Sequence, residues 1–184
     1  MKRIHILYSL GIALSLNMQI YAQVNHGGRP RMNSQDFNPD RVLYLLPPLH
    51  PLEVDAQAKR SGQESFHKTV SFAIQRTVDI NPGNNGQWVR KEGTHIWRAH
   101  LISPEAKSVG IGFNRFSLTS GARLFLYTPD GNHIKGAFNA QNNKESKRFV
   151  AGHLPGEEVI IELQVENPSR EFGSMEIAFL SHGL

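Results

Sequence analysis

Apolar residues recur at a period of two along most of the chain after Thr69. Because successive side chains of a β-strand point to opposite faces, this spacing predicts strands with one buried face. The stretch from Ala122 to Thr128 is apolar on both faces, which favours a strand inside a sheet. The other runs with this pattern are predicted as strands over Thr69–Gln75, His95–Ser103, Ser108–Asn114, Glu158–Val165 and Ser174–Leu180.

Turn-forming residues separate these runs. In the segment Thr128–Asn132 a proline presets the first turn angle and a glycine accepts a positive one, so the segment predicts a hairpin to Ile134–Phe138. Six or more short strands with turns between them are typical of sandwiches. The predicted fold class is therefore all-β, an antiparallel β-sandwich of jelly-roll-like kind over residues 68–184.

The N-terminus has the three parts of a secretory signal. Lys2 and Arg3 precede a mainly apolar run, and a polar taper ends at Ala22. Asn17 and Gln19 interrupt the run before it reaches the roughly 20 apolar residues that a bilayer requires. Residues 1–22 are thus predicted to be a signal peptide cleaved after Ala22, and the mature chain is predicted to be secreted or periplasmic, in the cell envelope, and not transmembrane.

Residues 23–67 are polar and rich in proline and glycine, with motifs such as Gly27-Gly28-Arg29-Pro30 and Pro47-Pro48. Proline removes a backbone donor and glycine favours turns, so this region is predicted to be an extended arm without regular helix before Pro51. The run Val42–Leu46 is the exception, because it is apolar enough to lie against another part of the molecule.

Charge and cysteine content exclude several classes of function. Removing Lys2 and Arg3 from the 20 Lys and Arg leaves 18 against 16 Asp and Glu, which does not favour nucleic-acid binding. The chain contains no cysteine, so disulfides, cysteine nucleophiles, thiolate zinc sites and iron–sulfur clusters are excluded. A hydrophobic core must support the fold, and export from a bacterium fits this composition better than export from a eukaryotic cell.

No catalytic constellation is evident. Neither a Gly-x-Ser-x-Gly nor a Gly-Asp-Ser-Gly segment occurs. His95 and His100 lie five residues apart on a predicted strand, which sends their side chains to opposite faces and argues against a shared metal. The span from Thr69 to Leu184 is also too short for a trypsin-like catalytic domain of roughly 200 residues. This chain is therefore predicted not to be an enzyme by itself and to need no cofactor.

Two features could bind a ligand. The oxygen-rich loop after the first strand offers the calcium candidates Asp79, Asn81, Asn84 and Asn85, although the same residue types are what a tight turn needs. Trp88 at a loop edge is a candidate glycan platform, whereas the other aromatic residues fall on apolar faces where core packing is the default.

Short motifs in a fixed order resemble a known arrangement. This order is similar to that in the N-terminal non-catalytic region, or pro-region, of bacterial lysyl endopeptidase-like, trypsin-like secreted serine peptidases. His26–Pro30 and Leu46–Pro48 resemble the start of the same precursors, so the resemblance covers nearly the whole chain. The motifs are Gly86–Trp88, Ile96–Arg98, Ser103–Ser108, Phe113–Phe116, Ser120–Tyr127, Gly136–Phe138, Asn142–Lys144 and Leu154–Val159.

The resemblance implies a pro-region or accessory sandwich that assists the folding of a catalytic domain or inhibits it. The catalytic His, Asp and Ser of that family lie in the following domain, and this chain stops at Leu184, about where that domain would begin. Two alternatives stay open: a truncated precursor with a trypsin-like partner in cis, or a free-standing relative. A rival hypothesis is a free-standing adhesion module of the cell envelope that binds a glycan, a peptide or calcium.

Overall fold

The computed structural model describes residues 24–31, 34–54, 72–166 and 168–184. These residues are mostly β-structure, with few and short helices, which confirms the predicted class. The strands are β1 Leu43–Leu45, β2 Ala73–Ile80, β3 Gln87–Lys91, β4 Thr94–Ile102, β5 Ser108–Leu118, β6 Ala122–Tyr127, β7 Ile134–Phe138, β8 Phe149–Pro155, β9 Glu158–Val165 and β10 Gly173–Gly183. The helical elements are α1 Pro39–Val42, the 3-10 turns Ser34–Asp36 and Ala140–Asn142, and residues 51–54.

The strands form two sheets. The first sheet has the order β1-β4-β9-β6-β7, and β3 also pairs with β4. The second sheet has the order β2-β10-β5-β8. The β1–β4 pair is parallel, and the other pairs are antiparallel. The predicted hairpin between β6 and β7 is confirmed by their antiparallel register.

One apolar cluster takes side chains from both sheets. In β9 the alternate residues Val159, Ile161, Leu163 and Val165 are fully buried, as the period of two predicts. The second sheet contributes Phe149, whose ring stacks on Phe116 with centroids 4.4 Å apart and meets Phe138 at 4.9 Å. These facing side chains form the hydrophobic core that a chain without cysteine requires.

The first predicted strand needs a correction. Residues 69–71 lie outside the described residues, β2 begins only at Ala73, and Phe72 is 74% exposed instead of buried. The inward positions of β2 continue as Ile74, Arg76, Val78 and Ile80. Arg76 interrupts the apolar pattern because its guanidinium is buried against the Ser103 hydroxyl, with 3.4 Å between Nη1 and Oγ.

The described part of the predicted arm is not uniformly extended. Asn38 caps α1 by accepting a hydrogen bond from Asp40 N–H, and Pro39 occupies the first turn, where its missing donor costs nothing. The prediction of no helix before Pro51 is therefore wrong by one turn. β1 pairs with β4, so the arm contributes a strand to the first sheet.

Residues 1–22, the predicted signal peptide, lie outside the described residues, as does the predicted boundary between residues 67 and 68. Within the part of the chain that is described, no helix is long and apolar enough to cross a membrane.

Candidate functional site

The outer face of the first sheet, opposite the core, is covered by the N-terminal part of the chain. We call residues 24–31 and 34–46 the strap. His26 N–H donates to the carbonyl of Ala137 at 2.9 Å, and Ala137 N–H donates to the carbonyl of Gly27 at 3.2 Å. Asn25 also accepts a hydrogen bond from Gly136 N–H on its side-chain oxygen. The strap therefore begins like an added strand at the β7 edge.

Glu162 of β9 lies at the centre of this face and is fully buried. One carboxylate oxygen accepts from Arg98 Nη2 at 2.7 Å and from the Tyr127 hydroxyl at 2.9 Å. The other accepts from Gln164 Nε2 at 2.8 Å and from Arg31 N–H at 2.7 Å. Four donors thus surround a carboxylate that would otherwise be costly to bury.

Side chains of β4 and β9 hold the main chain of the strap at three points. Arg31 donates its N–H to Glu162, and its carbonyl accepts a hydrogen bond from Arg98 Nη2. The carbonyl of Arg29 accepts a hydrogen bond from Gln164 Nε2 at 3.1 Å. Because all three contacts are made to backbone groups, they do not depend on the side chains at positions 29 and 31.

Arg98 is enclosed between the sheet and the strap. Its guanidinium carbon lies 3.9 Å from the centroid of the Phe37 ring, within range of a cation–π interaction. Phe37 and Val42 also pack with Ile96 of β4 in a small buried apolar cluster. The strap thereby excludes water from the Arg98–Glu162 ion pair.

The hydroxyl of Tyr127 stays protonated in this setting. Burial, reinforced by the neighbouring Glu162 carboxylate, raises the pKa of Tyr127 far above its ordinary value. The phenol therefore acts as a hydrogen-bond donor to the carboxylate at any physiological pH.

A cavity of about 340 Å³ lies beside this network, between α1 and the sheet. Its wall is mainly apolar and includes Phe37, Val42, Leu43, Ile160 and Arg98. His100, which pairs with Glu158 at 2.8 Å, lines the same cavity. The outer face can accommodate an additional apolar side chain here.

Three of the four predicted calcium residues lie in one turn, and the side chains of Asn81 and Asn85 hold that turn together. The side-chain oxygen of Asn81 accepts from Gly83 N–H at 3.0 Å and from Asn84 N–H at 3.1 Å. Asn85 accepts from Asn81 N–H at 3.2 Å, and Asp79 is exposed on β2. In the described ranges, no group of three or more His, Asp or Glu side chains could hold a metal. Calcium binding stays a prediction.

Trp88 is half-buried on β3. Its Nε1–H donates to the carbonyl of Pro82 at 2.7 Å, and its ring lies 5.8 Å from that of Phe172. The Arg170 guanidinium lies over the ring at 4.8 Å from its centroid. A glycan could stack on Trp88 only after Arg170 moves, and the platform stays a prediction.

Two serine–histidine pairs lie elsewhere. His182 Nδ1 is 2.9 Å from the hydroxyl of Ser103, and His153 Nδ1 is 2.9 Å from that of Ser108. Burial, followed by the Arg76 guanidinium, lowers the pKa of His182, and burial, followed by Lys135, lowers that of His153. The neutral rings can accept from the hydroxyls. Ser103 is fully buried, so this hydroxyl is closed to substrates.

The sequence patterns do not mark Glu162, Gln164 and Tyr127 as site residues. The available signal was the apolar outer face of β6, where Phe125 and Tyr127 are both buried although they point away from the core. A second signal was the apolar run Val42–Leu46, of which Val42 packs in the outer cluster, whereas Tyr44 and Leu46 pack against the core. No protein-family model matches the sequence.

Proposed function

We propose that this chain is a non-catalytic, polypeptide-binding domain, and that it serves as the pro-region or accessory domain of a secreted trypsin-like serine endopeptidase. The capture of the strap main chain by Gln164, Glu162 and Arg98 is the observation that carries the first part. The pro-region role is supported by the resemblance of the sequence motifs to the non-catalytic region of lysyl endopeptidase-like peptidases.

The strap is bound as a peptide ligand would be. It extends the sheet at the β7 edge and gives its backbone groups to side chains of β4 and β9. Peptide-binding domains use the same two devices, strand addition for affinity and placed side chains for register. An extended segment of a partner could make the same contacts once the strap leaves.

A pro-region needs a stable core and a surface that covers its partner, and it needs no catalytic residues. Protease folds rich in non-local strand pairing fold slowly, so a template that holds extended segments lowers their barrier. A bound strap would keep this surface occupied until the catalytic domain emerges. Export by a signal peptide cleaved after Ala22 belongs to the same proposal.

We also propose that the fold is a jelly-roll sandwich. The chain passes repeatedly between the sheets, with β2, β5, β8 and β10 in one and β4, β6, β7 and β9 in the other. The orders β2-β10-β5-β8 and β4-β9-β6-β7 support an eight-strand jelly roll with two Greek keys. In this description β1 and β3 are additions at the β4 edge.

Binding of the strap as a ligand is tested by cutting the chain after it has folded. A recognition site for a specific protease is inserted between Arg60 and Ser61, and the folded protein is cleaved. We expect the strap fragment to co-elute with the body in gel filtration and to separate in denaturant. Separation under native conditions, with the body still folded, would refute polypeptide binding.

The pro-region role is tested by coexpression with a lysyl endopeptidase-type catalytic domain. We expect the soluble yield of the catalytic domain to rise, or its activity to fall in a dose-dependent way. Glu162→Gln should weaken the effect and Glu166→Gln, on the exposed surface, should not. Yield and activity that are unchanged by the chain would overturn this role and leave peptide binding standing. The adhesion alternative predicts a melting temperature raised by calcium or sugar.

A further inference from the structure

The strap has a sequence requirement at Gly28. Its φ is +88°, in the left-handed region that favours glycine, and a Cβ there would lie 3.3 Å from Cζ of Phe125. Phe125 is buried on the outer face of β6, so its ring has little room to move. Gly27 has a similar φ of +76°, but a Cβ there would meet nothing within 4 Å.

Pro30 is the second constrained position. It is buried, whereas its neighbour Arg29 is exposed. Gln164 and Arg98 donate to the carbonyls of Arg29 and Arg31, and the two oxygens of Glu162 already accept four hydrogen bonds. Any other residue at position 30 would bring a buried N–H to a site that offers mainly donors, and proline has no N–H to satisfy.

By the same reasoning, the side chain at position 29 is not constrained. Only its carbonyl is bound, and its side chain points to solvent. The Arg31 side chain pairs with Glu92, which is itself mostly exposed, so this contact contributes little.

We propose that the outer face of the first sheet selects polypeptide segments of the form Gly-X-Pro-X, with a Gly of positive φ against Phe125 and a buried Pro next to the amide that Glu162 binds. This specificity rests on the proposed function and names its ligand class. The strap is the ligand in cis, and a partner would present the same pattern.

Hydrogen exchange tests this specificity in the full-length protein. No fragment of the chain has to fold by itself for the measurement. The Arg31 amide is protected by its bond to Glu162, so its exchange rate reports opening of the strap. Gly28→Ala is compared with Gly27→Ala, which shares the positive φ but not the contact with Phe125. Pro30→Ala is compared with Arg29→Ala.

We expect Gly27→Ala to speed exchange at Arg31 by about 5-fold to 30-fold, the cost of a left-handed alanine. Gly28→Ala should add about another fivefold or more because the ring must shift. Pro30→Ala should speed exchange by about tenfold, and Arg29→Ala by no more than about twofold. Equal rates for Gly28→Ala and Gly27→Ala, or for Pro30→Ala and Arg29→Ala, would overturn the specificity. If the strap fragment also stays bound after cleavage, polypeptide binding survives that result.

Discussion

Replacing the carboxylate at the centre of the site is the most informative perturbation. Glu162→Gln keeps the size of the side chain but removes its charge and turns one acceptor into a donor. At least one of Arg98, Tyr127, Gln164 and the Arg31 amide then faces another donor. Breaking a buried ion pair by changing one partner costs about 3–5 kcal/mol, and we expect Glu162→Gln to lose that much stability.

Urea unfolding of the full-length chain measures this loss. With an m-value of about 2 kcal/mol/M, the midpoint should fall by about 1.5–2.5 M. Glu166→Gln is the matched control, because Glu166 pairs with Arg123 on the exposed surface and should cost less than about 1 kcal/mol. The double variant Glu162→Gln with Arg98→Met should lose less than the sum of the single losses. A loss no larger than that of Glu166→Gln would contradict the reasoning.

Three further predictions concern the rest of the molecule. The pKa of His182 is lowered by burial in the folded state. As the pH falls below about 6.5, His182 is therefore protonated in the unfolded chain before it is protonated in the folded chain. Stability present above that pH is then lost, and His182→Asn should flatten the dependence of Tm on pH between 7 and 5; an unchanged slope would contradict this. Phe149→Ala should lower the free energy of unfolding in urea by about 3–5 kcal/mol, whereas Val150→Ala, at a half-exposed position, should lower it by less than about 1 kcal/mol. Equal losses would contradict the assignment of Phe149 to the core. Arg170→Ala should change the fluorescence of Trp88 with stability within about 1 kcal/mol; an unaltered spectrum would argue against the stacking.

Strand prediction succeeded where one face is continuously apolar. β9 occupies the predicted residues Glu158–Val165, and β4 differs from its prediction by one residue at each end. β3 was missed because all five of its residues avoid full burial and show no alternation. β8 was missed because its register against β5 shifts near Gly152 and His153, which breaks the period of two.

The candidate site was out of reach of the sequence for a different reason. Its contacts join distant positions, such as Arg31 with Glu162 and Arg98 with Glu162, and no local pattern encodes such pairs. The period of two in β4 places Arg98 on the face opposite the buried Trp97, Ala99 and Leu101, and so away from the core. A buried Glu162 on that same face follows only once the strap is known to cover it.

Capture of the strap main chain by the outer face is tested by exchanging a labelled strap peptide into the cleaved, folded protein. A fluorescent peptide of residues 24–46 is titrated against the protein cut between Arg60 and Ser61, and its anisotropy is followed. We expect saturable binding that unlabelled peptide reverses, with affinity lowered at least about tenfold in Glu162→Gln and unchanged in Glu166→Gln. A peptide that does not bind, or that binds both variants equally, would contradict capture of the main chain by this face.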